Sequence, residues 1–153
     1  MAVSSFAEIE QEFIRRAHGM VYCSCATIDT RQRPRSRVLH PIWEGVIGWV
    51  ATGRGSLKAR HLISHPFVSL AYIADPIRPL YVDCRARWEE DENTKRRIWE
   101  LFSTTPPPLG YDPSRFWGTP ANPAYGLLKL APWRICVADL LEPQNVKVWR
   151  EGA

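Results

Sequence analysis

What this 153-residue sequence most plainly lacks is a long apolar run. Its longest hydrophobic stretches are broken by charge or proline within about ten residues, far short of the ~20 that a bilayer helix needs, so no membrane-spanning helix is expected. The N-terminal stretch, MAVSSFAEIEQEF, is acidic and amphipathic, which fits neither a secretory signal nor a mitochondrial presequence. Cysteine is scarce. Cys23, Cys25, Cys84 and Cys136 all fall in apolar, strand-like stretches. With no leader read, they are expected as free thiols in a reducing cytosol rather than a disulfide framework, and the cytoplasm is the expected address. Negative charge is the minority sign: 16 Asp and Glu stand against 20 Lys and Arg, a net charge of +4. That excess favours an anionic partner such as a phosphate, a nucleotide or nucleic acid, or serves solubility alone. No repeat and no break in composition divides the chain, so a single domain over residues 1–153 is expected.

What is present is an ordinary globular composition, 45% apolar and 24% charged, with 7 Trp and 13 Pro. Ser5-Phe6-Ala7-Glu8 fits a capping box, and Phe6, Ile9, Phe13, Ile14 and Ala17 recur at helical spacing until Gly19. The N-terminal helix is therefore read within residues 1–19. From Met20 the period shortens to two. Val21, Cys23, Cys25 and Thr27 alternate with Tyr22, Ser24, Ala26 and Ile28, as a strand does. Strands over 35–43 and 46–52 follow, joined by short polar turns, which implies an antiparallel meander. A short helix over 56–64 ends at His65-Pro66. Strands at 67–74 and 80–88, a helix at 91–102 and a last strand at 127–140, bent at Pro132, complete the order. The loop at 104–125 holds six of the 13 prolines. A loop of that length suits a lid, a binding loop or a dimer wrap, or is a packed and inert surface loop. The residues after 140 are expected to be peripheral. Six short antiparallel strands with few helices suggest a mainly β protein, closed or nearly closed into a barrel.

The stretch richest in chemistry is Val50-Ala51-Thr52-Gly53-Arg54-Gly55-Ser56-Leu57-Lys58. A strand ends, two glycines permit close approach of a ligand, and a helix begins at Ser56. A helix N-terminus offers unpaired amides and about half a positive charge, a natural seat for phosphate. Ser56 adds a hydroxyl, Lys58 a full charge, and Arg54 and Arg60 stand nearby in sequence. The plainer alternative is that Ser56 only caps the helix and Lys58 is solvated. Neither a Walker A loop nor a dinucleotide fingerprint fits the spacing: Ala59 stands where magnesium binding would need Ser or Thr, and the third glycine is missing. On the strand before it, Arg35, Arg37 and Leu39 share one face, and an arginine there supplies a planar clamp for a phosphate or is simply exposed on an edge.

Taken together, residues 34–66 resemble the pyridoxamine 5′-phosphate oxidase-like split-barrel family. The resemblance lies in an arginine-bearing strand (Arg37-Val38-Leu39), a turn at Glu44-Gly45, a strand ending in Ala51-Thr52, then Ser56-Leu57-Lys58 opening a helix that closes at His65-Pro66. It implies a six-stranded antiparallel split barrel of the FMN-binding type. It also implies flavin mononucleotide as cofactor, with Arg37, Ser56, Leu57 and Lys58 at its phosphate and ribityl chain and Val38, Leu39 and Thr52 along its ring. A homodimer with the cofactor in the subunit crevice and a small-molecule substrate are implied as well. His40-Pro41 stands where the family oxidase continues with a lysine, so oxidation of pyridoxamine phosphate itself is not implied. Some relatives use a deazaflavin, and a non-catalytic flavin or haem carrier can occupy the same barrel. No catalytic side chain is named, because a flavin carries its own chemistry.

Other signals are weighed against this one. His61 and His65, four apart, have no evident third metal ligand. Cys23 and Cys25 read as buried hydrophobes. Trp43, Trp49 and Trp88 suit core or interface, while Trp117 and Trp133 are the better candidates to cover a flavin. Arg31, Arg33, Arg35 and Arg37 in one hairpin raise a nucleic-acid-binding barrel as the rival from another class, though no exposed aromatics interleave them.

Overall fold

The computed structural model describes residues 1–152. The chain opens with β1 (Ala2–Val3), a single turn of tight helix (Phe6–Glu8) and α1 (Glu10–Met20). Glu8 Oε1 accepts from the amides of Ser4 (2.9 Å) and Ser5 (3.0 Å), the reach-back expected of the capping box. Gly19, expected to stop the helix, lies inside it. The stop is a γ-turn at Val21, which sits at φ 65° while the Tyr22 amide donates to the Met20 carbonyl at 2.7 Å.

Six further elements lead to the site: β2 (Cys23–Ile28), β3 (Pro34–Leu39), β4 (Ile42–Glu44), β5 (Ile47–Gly53), α2 (Leu57–Ser64) and β6 (Phe67–Tyr72). After it come β7 (Leu80–Trp88), α3 (Glu92–Thr104), the short α4 (Ser114–Trp117), β8 (Tyr125–Val137) and β9 (Lys147–Arg150). The strands form one sheet in the order β1-β9-β8-β7-β6-β2-β3, with β5 and β4 branching from the first half of β8. The architecture is mainly β, as expected, but the described residues form nine strands rather than six, and β1 pairs with β9 in parallel.

Two expectations are corrected by this topology. The meander breaks at His40-Pro41: β3 pairs only with β2, whereas β4 and β5 pair with each other and β5 with β8. Pro41 has no amide to continue a ladder, so the chain leaves one edge and starts another. The C-terminal segment is not peripheral either, since β9 lies along β8 and the Met1 ammonium donates to the Val146 carbonyl at 2.6 Å. The bend at Pro132 is real. Cys84 faces Pro132 while Asp83 faces Arg134, so Trp133 is the extra residue of a bulge.

Two cores hold the fold. The larger fills the sheet's concave side with Phe13, Leu70, Tyr72, Val82, Leu130 and Ile135, and the Trp43 indole donates to the Tyr72 hydroxyl at 2.8 Å. The smaller packs Ile98, Trp99 and Phe102 of α3 against Ile42, Trp49, Tyr125 and Leu127. It also seats the proline-rich loop, where Gly110 is obligatory: a Cβ there would lie 1.7 Å from the Thr105 carbonyl oxygen. Among the described residues no helix is long and apolar enough to cross a membrane.

Candidate functional site

The β5–α2 turn delivers Ser56 as the N-cap of α2, with its Oγ accepting from the Ala59 amide at 3.4 Å. Lys58 Nζ donates to the same Oγ at 3.4 Å. Opposite, the β2–β3 hairpin sets Arg37 across from Cys25, with its side chain on the inner side of the sheet. Arg37 Nη1 donates to Thr27 Oγ1 at 2.7 Å, and the same oxygen lies 2.8 Å from His61 Nδ1. Since arginine can only donate, the Thr27 hydroxyl proton is free to go to His61 Nδ1, an arrangement compatible with a neutral imidazole protonated at Nε2. Burial first, and then the Arg37 guanidinium, lower the His61 pKa. Thr27 is 1% and His61 4% exposed, so the guanidinium is aimed by a sealed chain reaching across two elements.

Lys58 is held below the usual lysine range by burial and then by Arg37, the signature of two cations gathered in one place. Neither has a carboxylate partner among the described residues, although nine ion pairs form elsewhere. Among the same residues Arg31 and Arg60 are unpaired as well, but Arg33, Arg35 and Arg54 are different. Asp29, whose carboxyl is pulled down to about 2 chiefly by its backbone and side-chain bonds to Arg33, pairs with Arg33 at 2.9 Å and Arg35 at 3.9 Å. Arg54, two residues before Ser56, is engaged elsewhere: it forks onto Glu90 (2.9 and 2.6 Å) and stacks 4.8 Å over Trp88. Arg37, Ser56 and Lys58 are thus the residues here that could anchor an anionic group.

The other sequence-predicted residues are spread around this point. Leu57 is the exposed first residue of α2. Val38 points outward from edge strand β3 and is 68% exposed, whereas Leu39 packs against the larger core. Thr52 is buried and, with Gly53, forms one wall of a cavity of about 550 Å³. Tyr22, His40, Tyr111, Phe116 and Trp117 supply most of the rest. The His40 ring lies between Tyr22 (5.0 Å) and Tyr111 (5.3 Å), and its Nε2 is buried without a partner. Trp117 is therefore at the cavity, as anticipated for a covering residue, while Trp133 sits on the β8 bulge and does not line it. His65 caps the C-terminus of α2 through its backbone, and His61 is committed to Thr27. Burial raises the thiols of Cys23 to about 12 and Cys25 to about 11, leaving both protonated at neutral pH.

Thr27 and His61 are the residues of the anchor that motif reading did not assign. The signal for Thr27 lies in hairpin register: with Cys25 opposite Arg37, Thr27 is the diagonal neighbour on the same face. Of the cavity's loop residues only Trp117 carried a signal of its own, while Tyr111 and Phe116 depend for their placement on how the loop packs.

No family model matches the chain, and no curated protein matches it significantly. Solved structures do. A putative pyridoxamine 5′-phosphate oxidase from Listeria innocua is 21% identical, covers 84% of this chain and 97% of its own, and superposes with a TM-score of 0.68. A protein related to general stress protein 26, of the pyridoxinephosphate oxidase family, from Clostridium acetobutylicum is 12% identical over 94% of both chains, with a TM-score of 0.72. A pyridoxamine 5′-phosphate oxidase-related, FMN-binding protein from Nostoc punctiforme is 14% identical over 99% and 98% of the two chains, with a TM-score of 0.65. The chain has the fold of these pyridoxamine 5′-phosphate oxidase-like split-barrel proteins. An F420 reductase (TM-score 0.55) and the haem storage protein of Vibrio cholerae (0.60) share it.

Proposed function

We propose that the protein is a flavin mononucleotide-binding oxidoreductase of the pyridoxamine 5′-phosphate oxidase-like family, acting on a small molecule. The observation that carries the reading is the unpaired Arg37–Lys58 couple at the start of α2. Two cations held together without a carboxylate repel each other, and a phosphate dianion relieves that repulsion. Arg37 and Lys58 would hold the phosphate, with the Ser56 hydroxyl and the amides of Ser56 and Leu57 completing its shell. Val38 and Leu39, through their backbone, and Thr52 would lie along the ring. When bound, the flavin supplies hydride or electron transfer, so this chain's residues bind, orient and exclude water.

Exposed Val38 on β3 and Phe67 on β6, both on the outer side of the sheet, support a homodimer that closes the cofactor between two subunits. The Asp29 clamp on Arg33 and Arg35 leaves the hairpin less free charge for a nucleic-acid backbone. The F420 reductase with this fold supports a deazaflavin as the second reading, since its phosphate would meet the same two cations. Titrating the purified protein with FMN, a deazaflavin, haem and an oligonucleotide separates these readings. FMN is expected to bind with quenched flavin fluorescence and to sediment with a dimer. Uptake of haem or oligonucleotide in its place would discard the proposal.

A further inference from the structure

None of Arg37, Ser56 and Lys58 lines the aromatic cavity, and three features define what can enter it. Its lining contains no Lys, Arg, Asp or Glu. Its rings run without interruption from Tyr22 through His40, Tyr111 and Phe116 to Trp117, with successive centroids 5.0, 5.3, 6.1 and 5.5 Å apart, and buried Tyr125 backs Trp117 at 5.4 Å. Two of these rings, Tyr22 (54% exposed) and Phe116 (69% exposed), leave faces uncovered at the rim. A carboxylate or phosphate entering here would lose its hydration with no cation to replace it, a large cost. A flat, neutral ring would exchange water for aromatic faces and meet few polar groups beyond Thr52 and the tyrosine hydroxyls. Burial also lowers the His40 pKa, so the imidazole adds no charge at neutral pH.

We infer that this cavity binds an uncharged planar aromatic molecule and excludes anionic substrates, phosphate esters among them. Its volume of about 550 Å³ is within the range of small-molecule sites. That this ligand is the substrate, seated beside the flavin ring at Thr52, rests on the function proposed above; its chemical class does not. The pairing gives the protein a division of labour: the charged groups serve the cofactor, and the aromatic groups choose the substrate.

The test compares naphthol with its anionic analogue naphthoate by calorimetry. Phosphate buffer keeps the Arg37–Lys58 anchor from capturing the carboxylate. The titrations are run without added cofactor and again at saturating FMN. Naphthol is expected to bind at least about tenfold more tightly than naphthoate in both. Phe116→Ala, at an exposed position that spares the core, should weaken naphthol by about 2- to 10-fold, the worth of one aromatic contact. Phe116→Lys should narrow the gap between the two probes. Naphthoate binding as tightly as naphthol, or naphthol affinity indifferent to both Tyr22→Ala and Phe116→Ala, would overturn the inference. Displacement of naphthol by FMN would overturn it too, because the flavin ring itself would then fill the cavity. Naphthol selectivity intact in a protein that takes up no FMN would remove the flavin reading and leave the cavity assignment standing.

Discussion

The two faces of the β5–α2 junction are built by opposite means. On one side Arg37, Ser56 and Lys58 come from regular elements, and the guanidinium is aimed through Thr27 and His61 by bonds of 2.7 and 2.8 Å. On the other side, Tyr111, Phe116 and Trp117 come from the proline-rich loop and α4, held by ring packing and a glycine that no other residue can replace. The first side leaves charge unpaired, and the second leaves apolar surface uncovered. A polar anchor needs fixed directions, which strands and helix ends provide. An aromatic pocket needs shape, which a loop can supply if its base is packed.

Removing the charge should break the contrast most severely. Lys58→Ala together with Arg37→Ala is expected to lower FMN affinity by at least ~100-fold, since each charge-assisted bond is worth about 1.5–3 kcal/mol. Thermal unfolding should change little, and flavin fluorescence titration alongside a melting curve checks both. Thr27→Val is the next largest. It keeps the shape of the side chain but removes the acceptor that aims Arg37, and an FMN affinity about 10-fold weaker is expected, with riboflavin affinity unchanged and Thr27→Ser close to the parent. Equal losses for FMN and riboflavin would mean that Thr27 supports the barrel and not the guanidinium.

Gly110→Ala probes the other side. Its Cβ would collide with the Thr105 carbonyl, and a backbone clash of this kind costs at least the ~1–3 kcal/mol of ordinary overpacking, a fall of about 2–12 °C or more in Tm. FMN affinity should survive it better than naphthol binding. The smallest effect concerns acid. Asp29 titrates near about 2 in the folded protein, chiefly because of its bonds to Arg33 and, after these, to Arg31. Its folded pKa is below the ordinary carboxylate value of 3.8, so its stabilising contribution is complete above pH 3.8 and is lost as pH falls towards 2. Burial lowers His18, His40 and His61 as well, so each stabilises above its ordinary 6.5 and that support fades as pH drops through the lowered value. Asp29→Asn should flatten the stability–pH curve below pH 4 and, because the Asp29 charge raises the His61 pKa, move the His61 part of the histidine limb slightly to lower pH.

How much of this was legible beforehand follows the same division. Period-two alternation places β7 at 80–88 and the capping logic places α2 after Ser56, because local chemistry determines both. The break after Leu39 follows from Pro41 only once β3 and β4 are known to lie on different edges. The pairing of β9 with β1 and β8 was hidden because a four-residue strand carries little periodicity of its own. Within the site, Arg37, Ser56 and Lys58 stood out as charge and cap signals. Thr27 and His61 did not, since a threonine in a strand and a histidine in a helix acquire their roles only through register and packing. The aromatic cavity lay furthest from view. Tyr22 and Trp117 are 95 residues apart in sequence (117 less 22), and only the second core brings their surroundings together.

Arg37 and Lys58, on this reading, bind a phosphate dianion. Parallel titration of the unmodified protein with FMN and with riboflavin, which differ only in that group, addresses it directly. FMN is expected to bind at least ~100-fold tighter, with a preference that shrinks steeply as salt is raised. Equal affinity for the two, unmoved by salt, would contradict it.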